Sequence, residues 1–292
     1  MRDFEGKTAF VTGGASGIGL GMVHAFLDRG MQVVMADLLQ NHLDEAIATV
    51  RGTNRLHSIR VDVADRAGMA AAADETASVF GNVHILCNNV GVSQRNPIDE
   101  ASYEDWDYVL GVNIGGTVNG LVSFLPAMKA HGEGGHVVNT SSMAGMIPVP
   151  AFAGIYATSK FAVRGMTDAL RLALGPYRIG ASVLCPGMTR TRAMTAGDLY
   201  RAAHGGGEAA EVRDPIEHGM DPLELGAIVV AAIERNDPYI FPHGEFREEV
   251  AAYFDEMLQA FPADYAIDPV RQAGEERRAR MTADARAIAD AL

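Results

Sequence analysis

Short apolar runs recur along the chain at Lys7–Thr12, Gln32–Asp37, Leu56–Val61, Val83–Asn88, Gly135–Thr140 and Ile179–Cys185, with a shorter one at Tyr239–Phe241. Most are apolar at successive rather than alternate positions, which suits strands buried on both faces of a sheet. Longer stretches with helical spacing separate them: one after Gly19 through Leu27, then Asn41–Val50, Asp65–Phe80, about Tyr103 to Ala130, the segment after Pro150 to about Leu174, and Pro222–Arg235. Strand alternating with helix predicts an α/β fold with one doubly wound parallel sheet over residues 1–241. After Thr191 the periodicity fades. The stretch from about 190 to 220 carries Gly205-Gly206-Gly207 and follows a turn at a strand end, so it reads as a lid. Two amphipathic patterns, Glu245–Ala260 and Val270–Ala291, make residues 242–292 a C-terminal helical extension packed on the same domain.

Composition narrows the function. The 292 residues are 48% hydrophobic and 21% charged, enough for a large core, and the net charge is −13. An acidic chain repels phosphate backbones, so no nucleic-acid partner is expected. No basic cluster would draw it to an anionic membrane, and no apolar run is read as a membrane span. The N-terminal Met1-Arg2-Asp3-Phe4-Glu5-Gly6 has no apolar targeting core. Cys87 and Cys185 sit in strand-like runs and read as buried thiols, and the expectation is a cytoplasmic enzyme. The nine histidines show no metal-ligand spacing, so no metal is expected.

The first strand leads into Gly13-Gly14-Ala15-Ser16-Gly17-Ile18-Gly19, then a helix, a strand, and Asp37. This is a βαβ unit in which glycines let the backbone approach a pyrophosphate at a helix N-terminus. A carboxylate at Asp37 can accept hydrogen bonds from an adenosine ribose and repels a 2′-phosphate, which favours NAD over NADP; its other reading is the N-cap of the next helix. No basic residue follows Asp37 or lies in the glycine turn. Asn88-Asn89-Val90-Gly91 makes a polar turn at the carboxyl end of a strand, where ligands of open parallel sheets bind. Asn113 with Gly115-Gly116 inside an apolar helix costs stability, which suggests a purposeful distortion or a satisfied core amide. Tyr156 and Lys160 lie one helical turn apart on one face, and an ammonium favours the phenolate.

Together Thr12-Gly13-x-x-x-Gly17-x-Gly19, Asn88-Asn89-Val90-Gly91, Asn113, Ser142, Tyr156-x-x-x-Lys160 and Pro186-Gly187 resemble the short-chain dehydrogenase/reductase family over residues 4 to 241, a Rossmann fold. Two positions depart from its pattern: Val90 replaces a usual alanine, and Ser142 and Tyr156 lie 14 positions apart, about one more than common. The run Tyr239 to Glu248 and the stretch Gly134 to Thr140 are similar to bacterial Cα-alcohol dehydrogenases that act on lignin-derived β-aryl ethers. The resemblance implies that Tyr156 exchanges the substrate proton, Lys160 lowers its pKa and holds the nicotinamide ribose, Ser142 orients the substrate oxygen, and Asn113 positions a relay water. It further implies that Gly13, Ser16, Gly17, Ile18 and Gly19 hold the pyrophosphate, Asp37 the adenine ribose, Asp62 and Val63 the adenine, Asn89 and Gly91 the cleft wall, and Pro186, Gly187 and Thr191 the nicotinamide end.

Position alone nominates Ser93, Gln94, Pro148, Val149 and Met188 for the substrate. Arg95, Arg190 and Arg192 could bind an acidic substrate group, but each reads first as solvated surface. The expectation is an NAD-dependent enzyme that converts a small-molecule secondary alcohol to the ketone, benzylic or aryl by the tail's resemblance, and that forms a homodimer or homotetramer. The alternatives are an NADP-dependent ketone reductase and an NAD-sensing regulator without turnover; the intact Asn-Ser-Tyr-Lys set opposes the last.

Overall fold

The structure is a computed structural model that describes residues 1, 3–50, 54–93, 96–191, 204, 218–262 and 265–292. Seven parallel strands form one sheet in the order β3-β2-β1-β4-β5-β6-β7. They are β1 (Thr8–Thr12), β2 (Gln32–Asp37), β3 (Leu56–Arg60), β4 (Val83–Asn88), β5 (Gly135–Thr140), β6 (Ile179–Leu184) and β7 (Tyr239–Ile240). The order reverses between β1 and β4, and that reversal opens a crevice at the carboxyl ends of the strands.

The two-faced strands work as their composition requires. Val11, Val33 and Met35 point to one face, where α1 (Gly17–Asp28) covers them with Met22, Val23 and Phe26. Helix α7 (Pro222–Arg235) packs on the same face through Leu225, Val229 and Ile233. The intervening residues Phe10, Val34 and Leu86 point to the other face, under Met69 of α3 (Arg66–Phe80) and Phe124 and Met128 of α5 (Gly116–Ala130). Leu174, the last residue of α6 (Gly154–Leu174), closes that layer. Helix α2 (Gln40–Thr49) follows β2.

The predicted helix from Tyr103 to Ala130 is continuous but not uniform. It runs as α4 (Tyr103–Leu110), a π-helical turn at Gly111–Gly115, then α5. Asn113 sits in the widened turn, so the distortion read from Asn and glycines in an apolar helix is present at that residue. This segment corrects one expectation, because Tyr103–Ala130 is long and apolar enough to cross a membrane by length and composition. Half of its most apolar window is buried, and it packs on β4 and α3 as a core helix of the fold.

Asn139 of β5 is fully buried, donating to Thr167 Oγ1 at 3.0 Å and accepting from Asn88 Nδ2 at 2.9 Å. Both cysteines are buried thiols. The extension begins with a 3₁₀ turn at Gly244–Phe246 and continues as α8 (Arg247–Gln259) and α9 (Pro269–Asp290). Phe246, Val250, Tyr253 and Phe254 pack on Met143, Met146, Ile147, Val183 and Cys185. Helix α9 is exposed along most of its length, and its last turn is held by buried Arg171, which donates to Asp290 at 2.7 Å.

Candidate active site

One cleft runs across the carboxyl ends of β2, β1, β4, β5 and β6. Its walls include Gly13, Ser16, Gly17, Ile18, Asp37, Asp62, Val63, Asn89, Gly91, Tyr156, Lys160, Pro186 and Thr191, all nominated from the sequence. At one end the glycine turn delivers the N-terminus of α1. Ser16 occupies the N-cap in extended conformation without a side-chain cap bond, and no acidic residue stands in the first turn. Those amides and the helix dipole suit an anion. Gly19 does not line the cleft. A Cβ there would lie 2.0 Å from the Gly13 carbonyl oxygen, so Gly19 acts by letting the helix close on the turn.

Asp37 ends β2 at the cleft wall. Its carboxylate accepts from the amides of Ala15 and Leu39, both at 3.3 Å. Burial raises its pKa above the usual carboxylate range, while those amides and nearby His42 pull it back. It is not the N-cap of α2: Leu39 holds that place without a side-chain bond. Asp62 accepts from the Ala64 amide at 2.9 Å and meets His204 Nε2 at 2.9 Å. Asn89 spends its side chain on the scaffold, donating to the Thr12 carbonyl at 3.1 Å and accepting from Thr140 Oγ1 at 3.3 Å. It therefore fixes the β1–β4–β5 junction as well as lining the wall.

At the other end, α6 brings Tyr156 and Lys160 to the cleft. Lys160 is buried, and its Nζ donates to the Thr140 carbonyl at 2.9 Å and lies 5.4 Å from the centroid of the Tyr156 ring. Burial depresses its pKa to about 8. Burial also lifts the Tyr156 phenol above its ordinary value, opposed by a hydrogen bond with Ser142. Lys160 aims its ammonium at a backbone carbonyl beside the phenol, and the hydrogen bond with Ser142 eases ionisation of Tyr156. Ser142 is oriented for this. Its Oγ accepts from the Ala144 amide at 3.1 Å, which leaves the hydroxyl proton to donate toward the phenol.

Asn113 is buried behind Lys160. Its side chain bonds both the amide and the carbonyl of Val92, at 2.8 and 2.9 Å, and donates to Ser159 Oγ at 2.9 Å. Ser159 Oγ in turn donates to the Tyr156 carbonyl at 2.6 Å. The side chain is a brace between the loop after β4 and α6. Ser142, Asn113 and Gly187 stand next to the cleft rather than in its wall.

Of the substrate nominees, Met188 follows the β6 turn and is exposed, Pro148 and Val149 lie between Ser142 and α6, and Ser93 continues the loop from Gly91. Gln94, Arg95, Arg192 and most of the lid fall outside the described residues. Arg190 pairs with Asp221. The backbone of Met188 to Arg190 also bonds Met220, so the two ends of the predicted lid meet.

Sequence reading missed His243, Arg60 and His42. His243 accepts from the Gly187 amide, Arg60 Nε donates to the Leu38 carbonyl at 3.2 Å, and His42 lines the cleft beside Asp37. Arg60 comes beside Asp37 through the β2–β3 register, which exists once the strands are assembled. Among the described residues no cluster suits a metal.

The residues fit a nicotinamide dinucleotide: uncapped helix amides stand at one point of the cleft, a carboxylate beyond them, and a tyrosine–serine pair at the far end. The comparisons agree. Residues 7–198 match the model of the short chain dehydrogenase family. The chain is 34% identical to a C alpha-dehydrogenase of Sphingobium sp. SYK-6, over 97% of this chain and 93% of that protein. Its structure is similar to that of LigO from Sphingobium sp. SYK-6 in apo form, with 39% identity, TM-score 0.77 and coverage of 96% and 98% of the two chains. It is also similar to a short-chain dehydrogenase/reductase from Burkholderia phymatum solved with NAD, with 30% identity, TM-score 0.81 and coverage of 92% and 100%. The chain belongs to the short-chain dehydrogenase/reductase family and is an oxidoreductase of the kind that acts on alcohols.

Proposed function

We propose that the protein oxidises a secondary alcohol, benzylic or aryl, to its ketone with NAD. The observation that carries this is the Ser142–Tyr156–Lys160 group, half-buried at Ser142 and Tyr156 and buried at Lys160, at one end of a cleft that has the Asp37 carboxylate in its wall at the other. Gly13, Ser16, Gly17 and Ile18 would hold the pyrophosphate, Asp37 the adenine ribose, and Pro186, Gly187 and Thr191 the nicotinamide end. Bound there, the nicotinamide would supply the hydride acceptor for oxidation and the donor for reduction. Tyr156 accepts the alcohol proton as its phenolate, or returns it to a ketone oxygen as the phenol. Ser142 has one hydroxyl proton, which it donates to the phenolate in the empty site and to the substrate oxygen when the alcohol is bound. Lys160 is held against Thr140 behind the phenol, and its proton is labile enough, at a pKa of about 8, to feed a relay.

The aryl preference is supported by the C alpha-dehydrogenase match and by exposed Phe152 and Met188 on the segments that flank Tyr156. One observation favours the alternative cofactor. The Arg60 side chain lies against Leu38, beside Asp37, and a guanidinium there could meet a 2′-phosphate. Against it, the Asp37 carboxyl group sits in the cleft wall, where a 2′-phosphate would have to pack against it. The protein is also inferred to be a homodimer or homotetramer built on its long helices, where Tyr103 and Val122 are strongly exposed; light scattering tests this.

The deciding experiment offers NAD and NADP separately with a panel of aryl secondary alcohols and follows absorbance of the reduced nucleotide. Ketone formation with NAD preferred is the expected result. Preference for NADP replaces the cofactor assignment, and no turnover across the panel refutes the substrate class.

A further inference from the structure

We propose that His243, from the C-terminal extension, is a positioning residue that holds the Pro186-Gly187-Met188 turn in the shape the nicotinamide end of the cleft requires. This assignment rests on the nicotinamide cleft proposed above. Beyond β6 the chain leaves the sheet through Cys185, whose amide still donates to Ile240 at 2.9 Å, and Pro186, whose carbonyl accepts from Met143 at 3.0 Å. The next two residues are gripped from the other side. The Gly187 amide donates to His243 Nδ1 at 3.0 Å, and His243 Nε2 meets the Met188 carbonyl at 2.9 Å. One imidazole therefore bridges a donor and an acceptor on successive residues. That arrangement defines its state: Nδ1 offers its lone pair, and Nε2 carries the proton.

The ring is buried, and the fit around it is tight. A Cβ on Gly187 would lie 2.6 Å from a Phe246 ring carbon and 3.0 Å from His243 Cγ, so a glycine is needed there. Phe246 meets the His243 ring nearly edge-on, with centroids 6.5 Å apart at 72°. It also packs in the cluster that contains Met143 and Met146, the residues just after Ser142. The extension thus ties the turn after β6 to the segment that carries Ser142. Pro186, next to the gripped amide, is a wall of the cleft, and so is Thr191 five residues on. A shift of the Gly187–Met188 backbone would move that wall and leave the distant adenosine end untouched.

The test uses the full chain and two ligands that share the adenosine and pyrophosphate but differ at the nicotinamide: NADH and ADP-ribose. His243→Phe keeps a ring and removes both bonds, so NADH affinity falls about tenfold or more while ADP-ribose affinity stays within about twofold. His243→Asn, whose side-chain oxygen can still accept from the Gly187 amide, recovers part of the loss. Hydrogen exchange at the Gly187 amide speeds up in the phenylalanine variant and less in the asparagine variant. Equal weakening of both ligands, or NADH affinity unchanged in folded variants, overturns the proposal. Should His243→Phe fail to fold, His243→Asn and His243→Gln, each able to restore one bond, are judged by the same NADH to ADP-ribose ratio. Wild-type protein that binds ADP-ribose but not NADH refutes the nicotinamide cleft and this assignment together; a wild type that binds both beside insensitive variants refutes this assignment alone.

Discussion

The two ends of the parallel sheet treat ionisable groups in opposite ways. At the amino ends, Glu133 before β5 gathers three donors: Lys7 Nζ at 3.0 Å, His84 Nε2 at 2.9 Å and Asn82 Nδ2 at 2.6 Å. Those partners, His84 first, hold its carboxyl down to about 2. At the carboxyl ends, burial dominates and the partners fall short. Asp37 and Tyr156 are pushed up, and Lys160 is pushed down to about 8. At one end the Glu133 carboxylate is stabilised by its partners, and at the other the charged forms of Asp37, Tyr156 and Lys160 are penalised by burial. Groups held away from their preferred charge state are what proton transfer uses, and they lie where the cleft is.

Removing the phenol should give the largest effect of all. Tyr156→Phe takes away only the oxygen that exchanges the proton, so turnover should fall about 10²–10⁴-fold. NADH affinity and melting temperature should change little. Near-wild-type turnover in that variant would place the acid/base elsewhere.

The next test works through stability. Lys160 has a folded-state pKa of about 8 against 10.5 for an ordinary lysine, because burial disfavours its charge. Between those values the unfolded chain binds the proton that the folded chain has shed, so stability rises with pH across that window. Lys160→Met removes the penalty. At pH 7 the variant should be the more stable protein, by up to about 3 kcal/mol, less whatever is lost at the Thr140 carbonyl, although it should be inactive. The advantage should shrink as pH climbs from 8 to 10.5. Thermal melts of both proteins across that range check it, and a variant less stable than wild type by a constant amount would contradict it.

How much of this could be read beforehand follows the same division. The strands were legible because burial on both faces leaves unbroken apolar runs; Val83–Asn88 and Gly135–Thr140 coincide with β4 and β5. The glycine turn and the Asn, Ser, Tyr and Lys positions were legible because their spacing is local or carries a strong resemblance. What the sequence hid depended on pairing distant segments. His243 reaches Gly187 across 56 positions, and nothing local to either residue announces the contact. Arg60 is adjacent to Asp37 only through the β2–β3 register. The direction of the Lys160 ammonium was hidden too, since a one-turn spacing puts it near Tyr156 but cannot say that the Thr140 carbonyl claims it.

The smallest effect is expected at the amino end, and it has the opposite pH dependence. Glu133 has a folded-state pKa of about 2 against 4.5, so its contribution is fully present above pH 4.5 and is lost as pH falls toward 2. Buried His84 adds to acid sensitivity, because burial lowers its pKa and makes protonation of the folded state costly. The Thr8 amide donates to His84 Nδ1 at 3.2 Å, which leaves Nε2–H to donate to Glu133, so the pair works with a neutral ring. The carboxylate itself is exposed, where solvent screens such contacts, so Glu133→Gln should lower the melting temperature only slightly at pH 7. The deficit relative to wild type should vanish as pH drops from 4.5 toward 2, and turnover at neutral pH should be unchanged. A clear loss of turnover in Glu133→Gln would show that the two ends of the sheet are coupled, and the separation between a stabilising end and a reactive end would then be wrong.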